Sequence, residues 1–143
     1  MKLIKYLPIL LLFTGTLFSQ NGELEELDLM MKNYLYPYKV SYLDLDIQGQ
    51  SLQMAFMDIH PNNYKGKNVL LLHGKNFNGA YWETTIKALA EDGYRVIVPD
   101  QIGFGKSSKP LHFQYSFHIL AANTKKLLEF LEIDEISVLG HSM

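Results

Sequence analysis

Residues 68–74, Asn68-Val69-Leu70-Leu71-Leu72-His73-Gly74, decide the architecture. Val69 to Leu72 is apolar at every position, whereas a strand with one wet face alternates apolar and polar side chains. A continuous run predicts a strand at 68–72 covered on both faces, the mark of a parallel sheet with helices above and below. Downstream the period changes. Trp82, Ile86, Leu89 and Ala90 recur at helical spacing over 80–92, and Gly93 supplies the C-terminal cap. A second buried strand spans 95–98 and ends at Pro99. A helix over 116–133 carries Ile119, Leu120, Asn123, Leu127, Phe130 and Leu131 along one side, and a last buried strand covers 136–139. Upstream, Val40, Tyr42, Leu43, Leu45 and Ile47 stand among polar residues, and 51–59 alternates again. The turn Gln48-Gly49-Gln50 between these runs predicts an antiparallel hairpin. A hairpin followed by strand-helix-strand-helix-strand predicts an α/β fold, an open and mostly parallel sheet with right-handed crossovers.

Composition fits a globular chain. Of 143 residues, 48% are hydrophobic and 20% charged, with ten Gly and five Pro, which excludes disordered and fibrous classes. The length allows one domain at most. A formal charge of -2 and the lack of a basic patch with interleaved aromatics argue against nucleic acid as a partner. No internal repeat is present.

The N-terminus differs in kind. Lys2 and Lys5 precede an apolar stretch at 6–18, and the small residue Ser19 is followed by Gln20-Asn21-Gly22-Glu23. This is the pattern of a secretory signal peptide over 1–19, cut after Ser19. The stretch is shorter than the roughly 20 residues that a membrane span needs, so no stable membrane anchor is expected after cleavage. Secreted or periplasmic localisation follows. Loss of Lys2 and Lys5 moves the charge from -2 to -4. The chain has no Cys, which excludes disulfides and a lipid-modified Cys. Over 20–39, Leu24, Leu27, Met31, Tyr34 and Leu35 fall on one face and predict a lead-in helix at 23–36, ended by Pro37.

In an open α/β sheet, ligands bind beyond the carboxyl ends of the strands. Three loops stand there. His73-Gly74-Lys75-Asn76-Phe77-Asn78-Gly79 has two Gly that free the backbone, and such a loop can aim a main-chain N–H at a developing oxyanion or be a plain connection. Asp100-Gln101-Ile102-Gly103-Phe104-Gly105-Lys106-Ser107 contains G-x-G but has Ser108 where a dinucleotide fingerprint needs its third Gly. A tight turn whose backbone is satisfied by Asp100 and Ser107 is the better reading. Gly140-His141-Ser142-Met143 puts a Ser directly after a buried strand, the front of G-x-S-x-G. The Gly there is expected to relieve crowding by neighbouring backbone.

The three loops in this order resemble the α/β-hydrolase family, in the branch with HG-x and GHS-M motifs. The resemblance is carried by Leu71-Leu72-His73-Gly74, Trp82, the run from Val96 to Ser107, and Val138-Leu139-Gly140-His141-Ser142-Met143. It implies that residues 40–143 are the N-terminal half of a hydrolase domain of about 200–250 residues, truncated at the nucleophile elbow. Ser142 matches the nucleophile. The N–H groups of Met143 and Lys75 match the oxyanion hole. His73, Gly74, Asp100 and Gly140 match loop-supporting positions, not catalytic ones, and His141 matches the elbow position whose side chain packs locally. His60, His112 and His118 read as exposed or loop-supporting. No metal and no cofactor are implied.

The Ser also implies the reaction. Family members that open epoxides or remove halides carry Asp there, because they form an alkyl ester on a carboxylate. A Ser implies acyl transfer from a small-molecule ester, amide or related substrate. Its activating His and orienting acid follow the Ser in this family, so both are expected beyond Met143, and residues 1–143 alone are expected to be inactive. A non-catalytic binding protein reusing the half-fold is the alternative, and an oxidoreductase using the 103–105 loop a weaker one. The isolated 143-residue chain, with its last apolar strand as a sheet edge, is expected to be insoluble or oligomeric. Gel filtration checks this, and a sharp monomer peak with a cooperative melt is the opposing result.

Overall fold

The computed structural model describes residues 27–142; the expected signal peptide lies outside them. Five strands form one sheet: β1 (Val40–Ile47), β2 (Gln50–Ile59), β3 (Lys67–Leu72), β4 (Tyr94–Pro99) and β5 (Ser137–Gly140). Their order is β1-β2-β4-β3-β5. β2 is antiparallel to both β1 and β4, while β3 is parallel to β4 and to β5, so four of the five strands run the same way. A 3-10 turn at Gly79–Trp82 leads into α1 (Glu83–Glu91), and α2 (Phe117–Phe130) precedes β5.

The apolar run of β3 is explained by two cores. Leu70 and Ile97 pack with Met54, Phe56, Ile102 and Leu127 on the side of α2. Val69, Leu71, Val96 and Val98 pack with Met57 and Ile86 on the side of α1. Alternate residues of one strand therefore serve opposite helices, and no position is left to be polar.

Local signals set the helix ends. Asn78 Oδ1 accepts from Ala80 N–H at 2.9 Å and opens the 3-10 turn; Ser116 Oγ accepts from Ile119 N–H at 3.2 Å and opens α2. Gly93 follows α1 at φ +86°, where a Cβ would meet Asn63 O at 2.6 Å, so only glycine fits. α2 closes with Ile133 N–H on Leu128 O at 2.9 Å and Glu132 N–H on Glu129 O at 3.1 Å, with Glu132 at φ +55°, a Schellman arrangement without its usual glycine.

One expectation needs correction. The helix expected at 23–36 does not form over residues 27–36, which make turns. Asp28 Oδ1 accepts from Met30 N–H at 2.7 Å and Lys32 N–H at 3.3 Å, and Met31 adopts φ +51°. A local side-chain acceptor competes with the helix ladder, and the apolar residues of the expected face stay largely in water, with Leu27 at 53% and Leu35 at 90% exposure. The last strand, apolar enough to read as buried but expected to stand as a sheet edge in the 143-residue chain, is exposed throughout, with Val138 at 60% and Leu139 at 44% exposure. It is the edge of the sheet and pairs with β3 alone among the described residues.

One ion pair staples the hairpin to the parallel part. Arg95 donates from Nε to Asp58 Oδ1 at 2.9 Å and from Nη2 to Oδ2 at 2.8 Å. Burial pushes the Asp58 carboxyl up, but the Arg95 hydrogen bonds and charge, with His60 beside it, outweigh burial and hold it below the ordinary range. A depressed folded pKa gives stability that is complete above the unfolded value of about 3.9 and is lost as pH falls through the lower folded value. In the protein expressed from its own gene, Asp58→Asn is therefore expected to cost about 1–2 kcal/mol at pH 7. The gap from wild type closes in urea melts run at progressively lower pH below 4.

Candidate active site

The register of β3 with β5 places the site. Leu72 pairs with Gly140, and His141 N–H continues the ladder onto Leu72 O at 3.1 Å. Two residues further along each strand, Gly74 stands against Ser142. A Cβ on Gly74 would lie 2.9 Å from Ser142 Cβ and 3.0 Å from His141 O. Among the described residues the crowding at this turn falls on Gly74, while a Cβ at Gly140 meets none of them within 4 Å. Ser142 has φ +67°, an uncommon conformation for a residue with a side chain and one found where surrounding structure enforces it.

His73 joins two of the loops. It is 1% exposed. Its Nε2 accepts from Gln101 N–H at 3.0 Å, so the ring proton is assigned to Nδ1, which donates to Gly74 O at 2.9 Å. Both nitrogens are thus engaged away from Ser142. Phe104 stands edge-on to the ring at 5.5 Å between centroids. Beyond it, Lys75 and Asn76 form an exposed turn, with Phe77 N–H on Gly74 O at 3.1 Å and Asn76 at φ +66°. Lys75 also lines a cavity of about 420 Å³ with Gly103, Phe104, Tyr115 and Leu120. Met143, the other expected oxyanion donor, lies outside the described residues.

Asp100 is buried and accepts three hydrogen bonds. Gly79 N–H donates to Oδ1 at 2.6 Å, while Lys106 N–H at 2.7 Å and Tyr36 Oη–H at 2.6 Å donate to Oδ2. Ser107 Oγ donates to Asp100 O at 2.6 Å and accepts from Ala55 N–H at 2.8 Å. A Cβ at Gly105 would overlap the Asp100 carboxylate, and one at Gly103 would run into Tyr115. Both glycines of the G-x-G thus make room for the protein's own side chains.

An aromatic cluster around His141 was not apparent as a unit from the sequence. Tyr81 Oη lies 3.2 Å from His141 Nδ1, and the Phe77, Tyr81 and Trp82 rings surround the imidazole at 5.7, 5.8 and 6.5 Å. Burial raises the Tyr81 pKa, with the Gly74 backbone acting against it. Helical spacing had marked only Trp82, because Tyr81 and Phe77 meet His141 through the fold. Among the described residues no cluster of His, Asp and Glu could hold a metal ion.

The fit at Gly74 is directly testable. Gly74→Ala places a methyl group against a backbone oxygen and the Ser142 side chain, neither of which moves freely. Thermal or urea melts are expected to show a loss of about 1–3 kcal/mol, as for other overpacked sites.

Comparisons with known proteins agree with this arrangement. A model of the alpha/beta hydrolase fold family matches residues 67–143. A putative non-heme chloroperoxidase from Synechocystis is 37% identical over 78 residues, 54% of this chain and 28% of that protein. A haloalkane dehalogenase from Mycobacterium marinum is 40% identical over 76 residues, 52% of this chain and 25% of the relative. Among solved structures, a probable hydrolytic enzyme from Pseudomonas aeruginosa superposes with a TM-score of 0.78 at 54% identity, covering 80% of this chain and 36% of that one. The chain thus spans between a quarter and about a third of the length of these relatives. With its sheet order, its three loops and this match over more than half of its length, the chain belongs to the alpha/beta hydrolase fold family.

Proposed function

We propose that the protein is a hydrolase that cleaves an ester, amide or related acyl bond, with Ser142 as nucleophile. The observation that carries this reading is Ser142 itself, held at φ +67° in the turn after β5 and pressed against Gly74. In this mechanism Ser142 Oγ attacks the carbonyl carbon and loses its proton to a His base. The carbonyl oxygen becomes an oxyanion that Lys75 N–H and Met143 N–H receive. Collapse expels the alcohol or amine, which takes the proton, and water then hydrolyses the acyl-enzyme. His73 and His141 are each engaged elsewhere, so the base and its orienting acid are assigned to sequence after Ser142, as the family order implies.

The dehalogenase relatives suggest a different chemistry, which the hydroxyl does not favour. Displacing a halide from carbon requires a carboxylate nucleophile, and Ser142 offers an alcohol. The signal-like pattern of Lys2, Lys5, the apolar stretch and Ser19 adds export to the proposal.

A fluorophosphonate probe tests the assignment. Applied to the protein expressed from its own gene, it is expected to leave one covalent adduct, on Ser142. Ser142→Ala is expected to remove the adduct and lower kcat on a simple ester by at least about 10³-fold. An unlabelled Ser142 in folded wild-type protein sinks the proposal.

A further inference from the structure

We propose that Tyr36 is a positioning residue for the loop that carries the Lys75 N–H, acting through Asp100. This rests on the acyl-transfer reading above and adds to it a residue from outside the matched region 67–143.

The chain of contacts is short. Tyr36 Oη–H donates to Asp100 Oδ2 at 2.6 Å, sharing that oxygen with Lys106 N–H at 2.7 Å. The other carboxylate oxygen, Oδ1, receives Gly79 N–H at 2.6 Å. Gly79 closes the loop that begins at Gly74, and Gly74 touches Ser142. Both ends of the loop are therefore fixed: one by packing on Ser142 and the other by a carboxylate. A carboxylate held at both oxygens cannot rotate without breaking a charge-assisted hydrogen bond. Little slack exists on this side, since a Cβ on Gly79 would lie only 3.0 Å from Val98 Cγ1 and 3.3 Å from Asp100 Oδ1.

The phenol is suited to this role. Burial, then the charge of Asp100, raises the Tyr36 pKa far above its usual value, with the Lys106 backbone acting the other way, so the hydroxyl remains a donor throughout the working range of pH. The ring is held independently of that hydrogen bond. Lys106 Nζ lies 5.0 Å from its centroid and also donates to Lys32 O at 3.2 Å, and Tyr34 meets it edge-on at 6.0 Å. The segment before β1 thus fixes a group that the active-site loop hangs from.

The test separates positioning from bulk stability. Tyr36→Phe keeps the ring and removes only the donor. In the protein expressed from its own gene, it is expected to slow fluorophosphonate labelling of Ser142 and kcat by about tenfold, the loss of one hydrogen bond to a charged group. KM is expected to stay within about twofold, as for an interaction that matters in the transition state. Asp58→Asn, remote from the site, is the control: it lowers stability and leaves labelling and kcat unchanged. Amide exchange at Gly79 is expected to speed up in Tyr36→Phe and not in Asp58→Asn. Labelling at the wild-type rate in Tyr36→Phe, or equal slowing in both variants, overturns the proposal and leaves the assignment of Ser142 standing. Failure of folded wild type to label overturns both. If Tyr36→Phe does not fold, 4-aminophenylalanine at position 36, a weaker donor on the same ring, replaces it. An intermediate labelling rate then supports the proposal, and an unchanged rate overturns it.

Discussion

A buried carboxylate holds the functional face of this protein together. Asp100 is almost wholly out of water, where an ionised carboxylate is costly unless it is richly hydrogen-bonded. Its acceptance of Gly79, Lys106 and Tyr36 meets that requirement, and each donor belongs to a different part of the chain. The loop after β3, the turn after β4 and the segment before β1 are thereby fixed to one another. Gly105 is glycine because the carboxylate occupies the space that a side chain would need. Removing the acid would free three segments at once and leave two buried N–H groups and a phenol O–H without their acceptor.

The sheet supplies the rest of the geometry. α1 covers one face and α2 the other, so β3 and β4 are apolar on both sides, and their carboxyl ends are the places where the chain is free to be polar. The chain leaves β3 for β4 on one side and returns past β3 to β5 on the other. Such a reversal opens a crevice beyond the strand ends. Gly74, Asp100 and Ser142 are brought to that crevice by strand order, although they lie far apart in sequence.

Much of this was legible in the residues. The unbroken Val69–Leu72 run needs two covered faces, and the alternation before it needs one, so strand type could be read from period alone. The cap at Gly93 was visible because it answers a local backbone requirement. The lead-in helix misled for a local reason as well: the apolar spacing was there, but Asp28 offers its side chain to the same N–H groups a helix would use. The exposure of β5 followed from strand order and not from its apolar residues, since burial is a property of what packs on a strand and not of the strand itself.

The sequence by itself determined the order of strands and helices, the position of each strand-end loop, and the presence of a hydroxyl in place of a carboxylate at position 142. These follow from periodicity and side-chain chemistry, which are local. Only the tertiary structure decided that crowding falls at Gly74, that Gly103 and Gly105 make way for Tyr115 and Asp100, and that Tyr36, 64 residues away, donates to the same carboxylate as Gly79. Those contacts join segments with no sequence relation. They arise where sheet register and loop closure bring distant backbone within hydrogen-bond reach.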